Sequence, residues 1–230
     1  RGLSQFDPDW RNYAVPIEML DVLDLITVAG LESVAVVGTS RGGLIALLMA
    51  AARPAVLGSL VLNDIGPVVE RVGLARISAY VGRVPLPVSW PEAAKLIRDL
   101  NKRAFPAVTD EQWADVARQW YNEQKGKPAP GYDLKLANAL SVLDGPMPAL
   151  WPQFEAVKQI ALLVLRGENS DILSKETVDE MRRRHSRFSA LTVPQQGHAP
   201  LLKDAPSISA IHSFIEAADT GHALPERAIA

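Results

Sequence analysis

The run Ser33-Val34-Ala35-Val36-Val37-Gly38-Thr39-Ser40-Arg41-Gly42-Gly43-Leu44-Ile45-Ala46-Leu47-Leu48-Met49 changes character twice. Ser33 to Val37 is short, β-branched and apolar on both faces, the pattern of an interior parallel strand. Gly42 to Ala52 is rich in Leu, Ala and Met and stops before Pro54, which is the pattern of a helix. The residues between them, Gly38-Thr39-Ser40-Arg41-Gly42, form a G-x-S-x-G pentapeptide placed after a buried strand and before a helix. In that setting Ser40 sits on a sharp strand-to-helix turn, with its hydroxyl pushed clear of the backbone. Small residues at Gly38 and Gly42 let neighbouring segments approach. The helix that follows directs its first N–H groups toward developing negative charge, so the backbone N–H of Arg41 is one expected oxyanion donor. The side chain of Arg41 has two readings, steering of an anionic substrate or an ion pair with the inserted segment or a helix, and the ion pair is favoured.

Working outward, Val15 to Leu31 carries Ile17, Leu20, Val22, Leu23, Leu25 and Ile26 at helical spacing, with Pro16 in the first turn and Gly30 at the stop. Leu57 to Leu62 and Ile160 to Leu165 repeat the buried-strand pattern, and Ser189 to Val193 is a weaker third. Each is followed by a loop and then a helical segment, the last being Ala205 to Ala217 with Ile208, Ile211, Phe214 and Ile215 expected inward. Strands alternating with helices predict an α/β architecture, a mostly parallel sheet with helices on both faces. Between the second and third strands the pattern breaks. Val68 to Leu150 contains no convincing buried strand, is punctuated by prolines, and places Trp113, Val116, Ala117 and Trp120 on one apolar face. It is expected to be an all-helical insertion of roughly 80 residues. The predicted division is thus 1–67 and 151–230 for the sheet domain and 68–150 for the insertion. Trp113, Trp120, Tyr121 and Trp151 have two readings, the lining of an acyl pocket or core, and core is favoured.

Composition limits the chemistry. The chain has 230 residues, 48% of them hydrophobic, and 24 basic against 26 acidic side chains leave a formal charge of −2. No global field favours nucleic acid or anionic lipid. No apolar run reaches the ~18 to 20 residues of a membrane helix, and no charged-then-apolar leader opens the sequence. A soluble cytoplasmic protein is expected, without nucleic-acid or membrane partners, and a homodimer is admitted. With no cysteine, a nucleophile must be oxygen or nitrogen. Nucleotide-binding glycine motifs and the H-E-x-x-H zinc signature are missing from the sequence, so no cofactor and no metal are expected.

A serine hydroxyl needs a base, and the base an orienting acid. Of the four histidines, His185 follows Arg182-Arg183-Arg184 and reads as a solvated cation at a helix C-terminus. His212 lies within the last helix and His222 in the tail. His198, in Gln195-Gln196-Gly197-His198-Ala199-Pro200, alone sits in a loop directly after a predicted strand, and is the expected base. Asp171, in Arg166-Gly167-Glu168-Asn169-Ser170-Asp171, is the expected acid, with Asp64 and Glu168 as rivals. The chosen groups all leave the C-terminal ends of parallel strands, where open α/β sheets place their sites.

Ser40, Asp171 and His198, in that chain order, together with the elbow Gly38-Thr39-Ser40-Arg41-Gly42-Gly43, the loop Arg166 to Asp171 and Gly197-His198, resemble the α/β-hydrolase family with a helical lid. The likeness covers nearly the whole chain and lies closest to the lidded esterases, enol-lactone hydrolases and carbon–carbon bond hydrolases. Serine at the elbow is unlike the dehalogenase and epoxide hydrolase branches, which carry Asp there. The resemblance implies a serine hydrolase acting on a small-molecule ester or lactone. The alternatives are a carbon–carbon bond hydrolase with the same triad and a non-catalytic ligand receptor on a hydrolase scaffold. In that family a segment like Arg1-Gly2-Leu3-Ser4 follows the fourth strand, and a His-Gly loop ahead of it supplies the second oxyanion donor. The strand Ser33 to Val37 calls for a parallel neighbour on each side, so a further N-terminal segment of roughly 50 to 70 residues is expected.

Overall fold

The structure is a computed structural model that describes residues 4–83, 85–141, 148–222 and 224. A short 3-10 turn at Trp10–Tyr13 precedes helix α1 (Val15–Val28), strand β1 (Val34–Thr39), helix α2 (Arg41–Ala52) and strand β2 (Leu57–Asn63). Helices α3 (Arg71–Tyr80), α4 (Trp90–Asn101) and α5 (Asp110–Trp120), strands β3 (Tyr121–Gln124) and β4 (Lys127–Pro130) and helix α6 (Leu136–Ser141) follow. The chain then returns through α7 (Trp151–Ala156), β5 (Ala161–Gly167), α8 (Lys175–Arg184), β6 (Phe188–Val193) and α9 (Ala205–Thr220). No helix among the described residues is long and apolar enough to cross a membrane.

The main sheet is fully parallel with order β1-β2-β5-β6. Thr39 pairs with Asn63, Asn63 with Leu165 and Gly167 with Val193, so the strands end side by side. Their C-terminal loops therefore converge, as the sequence pattern predicts. Leu60 to Leu62 and Ala161 to Leu165 are each at most 1% exposed, the continuous burial of strands covered on both faces. Side chains alternate across a strand. One face carries Val61, Leu163, Leu165 and Val193 against Ala210 and Phe214 of α9. The opposite face carries Leu62, which lies against Gly43 of α2. β1 forms one edge, with Val34 to Val37 alternately half-buried and exposed and Gly38 buried, and no strand among the described residues pairs beyond it.

The helical stripes are narrower than the apolar pattern suggests. In α1 the buried positions are Met19, Leu23 and Ile26, while Leu20 and Leu25 are exposed. In α9, Ala210 and Phe214 are buried, Ile211 and Ile215 pack partly on the core, and Ile208 is exposed. The helix angle of ~100° per residue separates Ile208 from the stripe set by Ser207, Ala210 and Phe214.

Two compact units divide the chain, Arg1–Tyr13 with Ala75–Pro146 and Ala14–Leu74 with Met147–Ala230. The boundaries differ from the expected 67/68 and 150/151, and the segment ending at Tyr13 belongs with the insertion rather than with the sheet. The Tyr13 hydroxyl, 2% exposed with its residue, donates to Asp133 Oδ2 at 2.6 Å and accepts from Asp7 N at 2.9 Å.

The insertion is not all-helical. α4 and α5 are started by Ser89, which accepts from Glu92 N, and by Thr109, whose capping box with Gln112 satisfies two backbone donors. They pack through Ile97, Val116 and Trp113, the last edge-on to Phe105. Directly after Trp120 the chain becomes an antiparallel hairpin turning at Lys125-Gly126, both at positive φ. That is the backbone twist a two-residue hairpin turn requires. Short polar strands with Pro128 and Pro130 show little alternation, so the apolar pattern does not reveal them.

Candidate active site

β1 delivers Ser40 at φ 50°, ψ −116°, a conformation rare for a residue with a Cβ. Its N–H donates to Asn63 O at 3.0 Å, and α2 begins at the next residue. The close approach of strand and helix needs glycine at two positions. A Cβ on Gly38 would lie 2.7 Å from Gly43 Cα, and one on Gly43 would lie 2.2 Å from Ile65 Cγ2. Gly42 faces open space, and a Cβ added there would have nothing within 4 Å, so Gly43 and not Gly42 is the second steric requirement.

His198 follows β6 in a loop held at several points. Gln196 Oε1 accepts from Leu201 N at 2.8 Å, and Asn63 Nδ2 donates to Pro200 O at 3.0 Å and to Thr39 Oγ1 at 3.1 Å. Glu168, a rival for the acid, instead accepts the Gln195 N–H at 2.7 Å through Oε2. These bonds tie the loop after β6 to the ends of β1 and β2. His198 Nε2 lies 2.7 Å from Ser40 Oγ.

The carboxylate that meets His198 is Asp64, not Asp171. Asp64 Oδ2 lies 2.8 Å from His198 Nδ1, with the carboxylate side chain 0% and the imidazole 6% exposed. Its Oδ1 accepts Gly167 N at 2.7 Å, and Oδ2 also accepts the Ser170 hydroxyl at 2.6 Å. Ser170 Oγ in turn accepts from Ile172 N and Leu173 N, so its single proton is directed to Asp64. With donors on both carboxylate oxygens, His198 presents Nδ1–H to Asp64 and a bare Nε2 lone pair to Ser40. Asp64 itself has φ 57°, so two of the five non-glycine residues at positive φ among the described residues are in this site.

The reason Asp171 does not fill this role is visible in the turn after β5. Ser170 N bonds back to Gly167 O, which brings Ser170 against Asp64. One residue on, the Asp171 carbonyl is fixed by the Gly73 N–H at 3.0 Å, in a contact so close that a Cβ on Gly73 would meet it at 2.3 Å. The expected acid loop thus supplies donors to the acid carried by β2. Gly167 and Ser170 give no signal in the sequence. Asp64 gives a partial one, as the first charged residue after the buried Leu60-Val61-Leu62.

The Arg41 guanidinium pairs with Glu18 of α1, Nε to Oε2 at 2.6 Å, the helix ion pair favoured from sequence. His185 corrects the reading of a solvated cation. It is 5% exposed, takes the Arg187 N–H on Nδ1 and donates Nε2–H to Val157 O, and burial lowers its pKa. His212 and His222 are exposed. Trp113 is core at 3% exposure, Trp151 packs edge-on to Phe154 under Arg184, and Trp120 is 41% exposed. Among the described residues no group of three or more His, Cys, Asp or Glu side chains is placed to hold a metal.

Comparison with known proteins agrees with this fold. Residues 2–210 match the model of the alpha/beta hydrolase family. The chain is 33% identical over 235 residues to the 3-hydroxybutyrate-oligomer hydrolase of Cupriavidus necator, covering 95% of this chain and 77% of that one. A crystal structure of an alpha/beta hydrolase from Novosphingobium aromaticivorans is 37% identical with a TM-score of 0.87, covering 94% of this chain and 76% of that one. An esterase from Mycobacterium tuberculosis, 23% identical with a TM-score of 0.64 over 94% of this chain and 72% of that one, shares the fold. The parallel sheet, the strained serine elbow and these likenesses identify the chain as a member of the alpha/beta hydrolase family.

Proposed function

We propose that this chain is a serine hydrolase that cleaves a small carboxylic ester or lactone through an acyl-enzyme. The observation that carries the reading is the unbroken relay from Ser40 Oγ to His198 Nε2 at 2.7 Å and from His198 Nδ1 to Asp64 Oδ2 at 2.8 Å. Ser40 Oγ attacks the carbonyl carbon while His198 Nε2 takes its proton. Asp64 holds the ring in the Nδ1–H tautomer and stabilises the imidazolium. The backbone N–H of Arg41, at the first position of α2, donates to the oxyanion. His198 then protonates the departing alkoxide. Water, deprotonated by the same Nε2, attacks the acyl carbon, and the collapsing intermediate returns the proton to Ser40 and releases the acid.

The Cupriavidus relative is named for 3-hydroxybutyrate oligomers, which makes short hydroxyacyl oligoesters the first substrates to test. The experiment compares wild type and Ser40→Ala on these oligoesters, aryl esters, enol-lactones and 1,5-diketones. Turnover of esters or lactones, reduced by a factor on the order of 10³ or more in Ser40→Ala with folding unchanged, is expected. Turnover of the diketones alone would assign carbon–carbon cleavage. Equal turnover in the variant would remove Ser40 from the chemistry.

A further inference from the structure

The helical unit contains a cavity of about 260 Å³ that the relay does not use. Ile97 and Leu100 of α4, Trp120 and Tyr121 at the junction of α5 and β3, and Tyr132 and Leu134 after β4 line it. The hairpin forms part of its wall. Gly131 packs so tightly on the Trp120 carbonyl that no side chain fits there, since a Cβ would meet that oxygen at 1.9 Å. None of the described lining residues is charged.

An apolar cavity of ~150 Å³ admits benzene. This one is larger, so an aromatic ring with a short alkyl chain matches its size. Leu100, Trp120 and Leu134 are 40%, 41% and 46% exposed, which leaves an apolar mouth open to solvent. The polar side chains that line it are tyrosine phenols and the Trp120 indole, which are neutral and carry hydrogen-bond donors. The Tyr132 hydroxyl accepts from Gly82 N at 3.1 Å, which leaves its own proton for another acceptor. Tyr121 lies close enough to Tyr132 for the two to interact, and burial pushes its phenol up. A neutral oxygen acceptor suits such a site, whereas a carboxylate would find no countercharge there.

We infer that the helical unit binds a small neutral aromatic compound bearing one acceptor oxygen and a short alkyl chain, and rejects the corresponding anion. The site requires nothing of Ser40, so it stands or falls apart from the proposed hydrolysis.

The test titrates the full chain with 4-propylanisole, a non-hydrolysable neutral ether, and with 4-propylbenzoate near neutral pH, following tryptophan fluorescence and calorimetry. Saturable binding of the ether is expected, with the benzoate at least about tenfold weaker. Trp120→Phe should abolish most of the fluorescence change. Leu134→Phe, with its fold verified by circular dichroism, should weaken the ether at least about tenfold by filling the mouth. No saturable binding of the ether to wild type, or equal binding of ether and benzoate, would overturn the inference whatever the variants do. Unchanged affinity in a folded Leu134→Phe would place any binding elsewhere and overturn it equally.

Discussion

Replacing Asp64 by Asn separates the relay seen in the structure from the one expected of the resemblance. The carboxylate accepts Gly167 N–H on Oδ1 and both Ser170 Oγ–H and His198 Nδ1–H on Oδ2. An amide has one acceptor and one donor end, so it cannot satisfy both sides. If its NH₂ faces Gly167, two donors meet at the former 2.7 Å contact, and one buried N–H is left unpaired. If its NH₂ faces His198, it donates to Nδ1 and moves the ring proton to Nε2, which then cannot accept from Ser40. In either case His198 loses the charge that stabilises its cation. A loss in kcat/KM of about 10³ to 10⁴ is expected, or about 4 to 5 kcal/mol of transition-state stabilisation. Asp171→Asn should stay within about threefold of wild type, since the carboxylate that bonds His198 is Asp64. The assay is the initial rate on a chromogenic ester for both variants, with folding checked by circular dichroism. A 10³-fold loss in Asp171→Asn beside a nearly normal Asp64→Asn would assign the acid to Asp171 instead.

Ser170→Ala removes a donor to Asp64 and the acceptor for Ile172 N and Leu173 N. It should lower stability by about 1 to 3 kcal/mol, seen as a Tm decrease of about 3 to 9 °C. Gly43→Ala drives a Cβ into Ile65 and should cost about 1 to 3 kcal/mol in denaturant unfolding, whereas Gly42→Ala should stay within about 0.5 kcal/mol. Burial lowers the His185 pKa, so the unfolded chain binds its proton first as pH falls. Stability from this group is complete above the ordinary histidine pKa of about 6.5 and declines below it. Thermal melts at descending pH should therefore fall more steeply for wild type than for His185→Gln over that window.

Much of the sheet is legible in the sequence because buried strands advertise themselves. Ser33 to Val37, Leu57 to Leu62 and Ile160 to Leu165 stand out as apolar runs bounded by turn residues, and each is a strand to within two residues. The elbow is legible because G-x-S-x-G in strand–turn–helix context combines a motif with a periodicity change. The hairpin at Tyr121 to Pro130 is not, because its strands bury little and alternate weakly. The acid escapes the sequence because the choice between Asp64 and Asp171 depends on hydrogen bonds between loops, and chain order carries no information about those. His185 shows the same limit. Three preceding arginines suggest a wet helix end, yet Phe154 and Phe188 flank the ring and a backbone carbonyl accepts its proton.

In the proposed mechanism His198, held by Asp64, activates Ser40. A fluorophosphonate probe tests it directly, because phosphonylation requires an activated hydroxyl and leaves a stable mass tag. Peptide mass spectrometry of the labelled chain should place the tag on Ser40. The tag should vanish in Ser40→Ala and slow by a factor of about 10³ or more in His198→Ala. Labelling of another residue, or labelling of Ser40 at an undiminished rate in His198→Ala, would show that His198 does not activate Ser40.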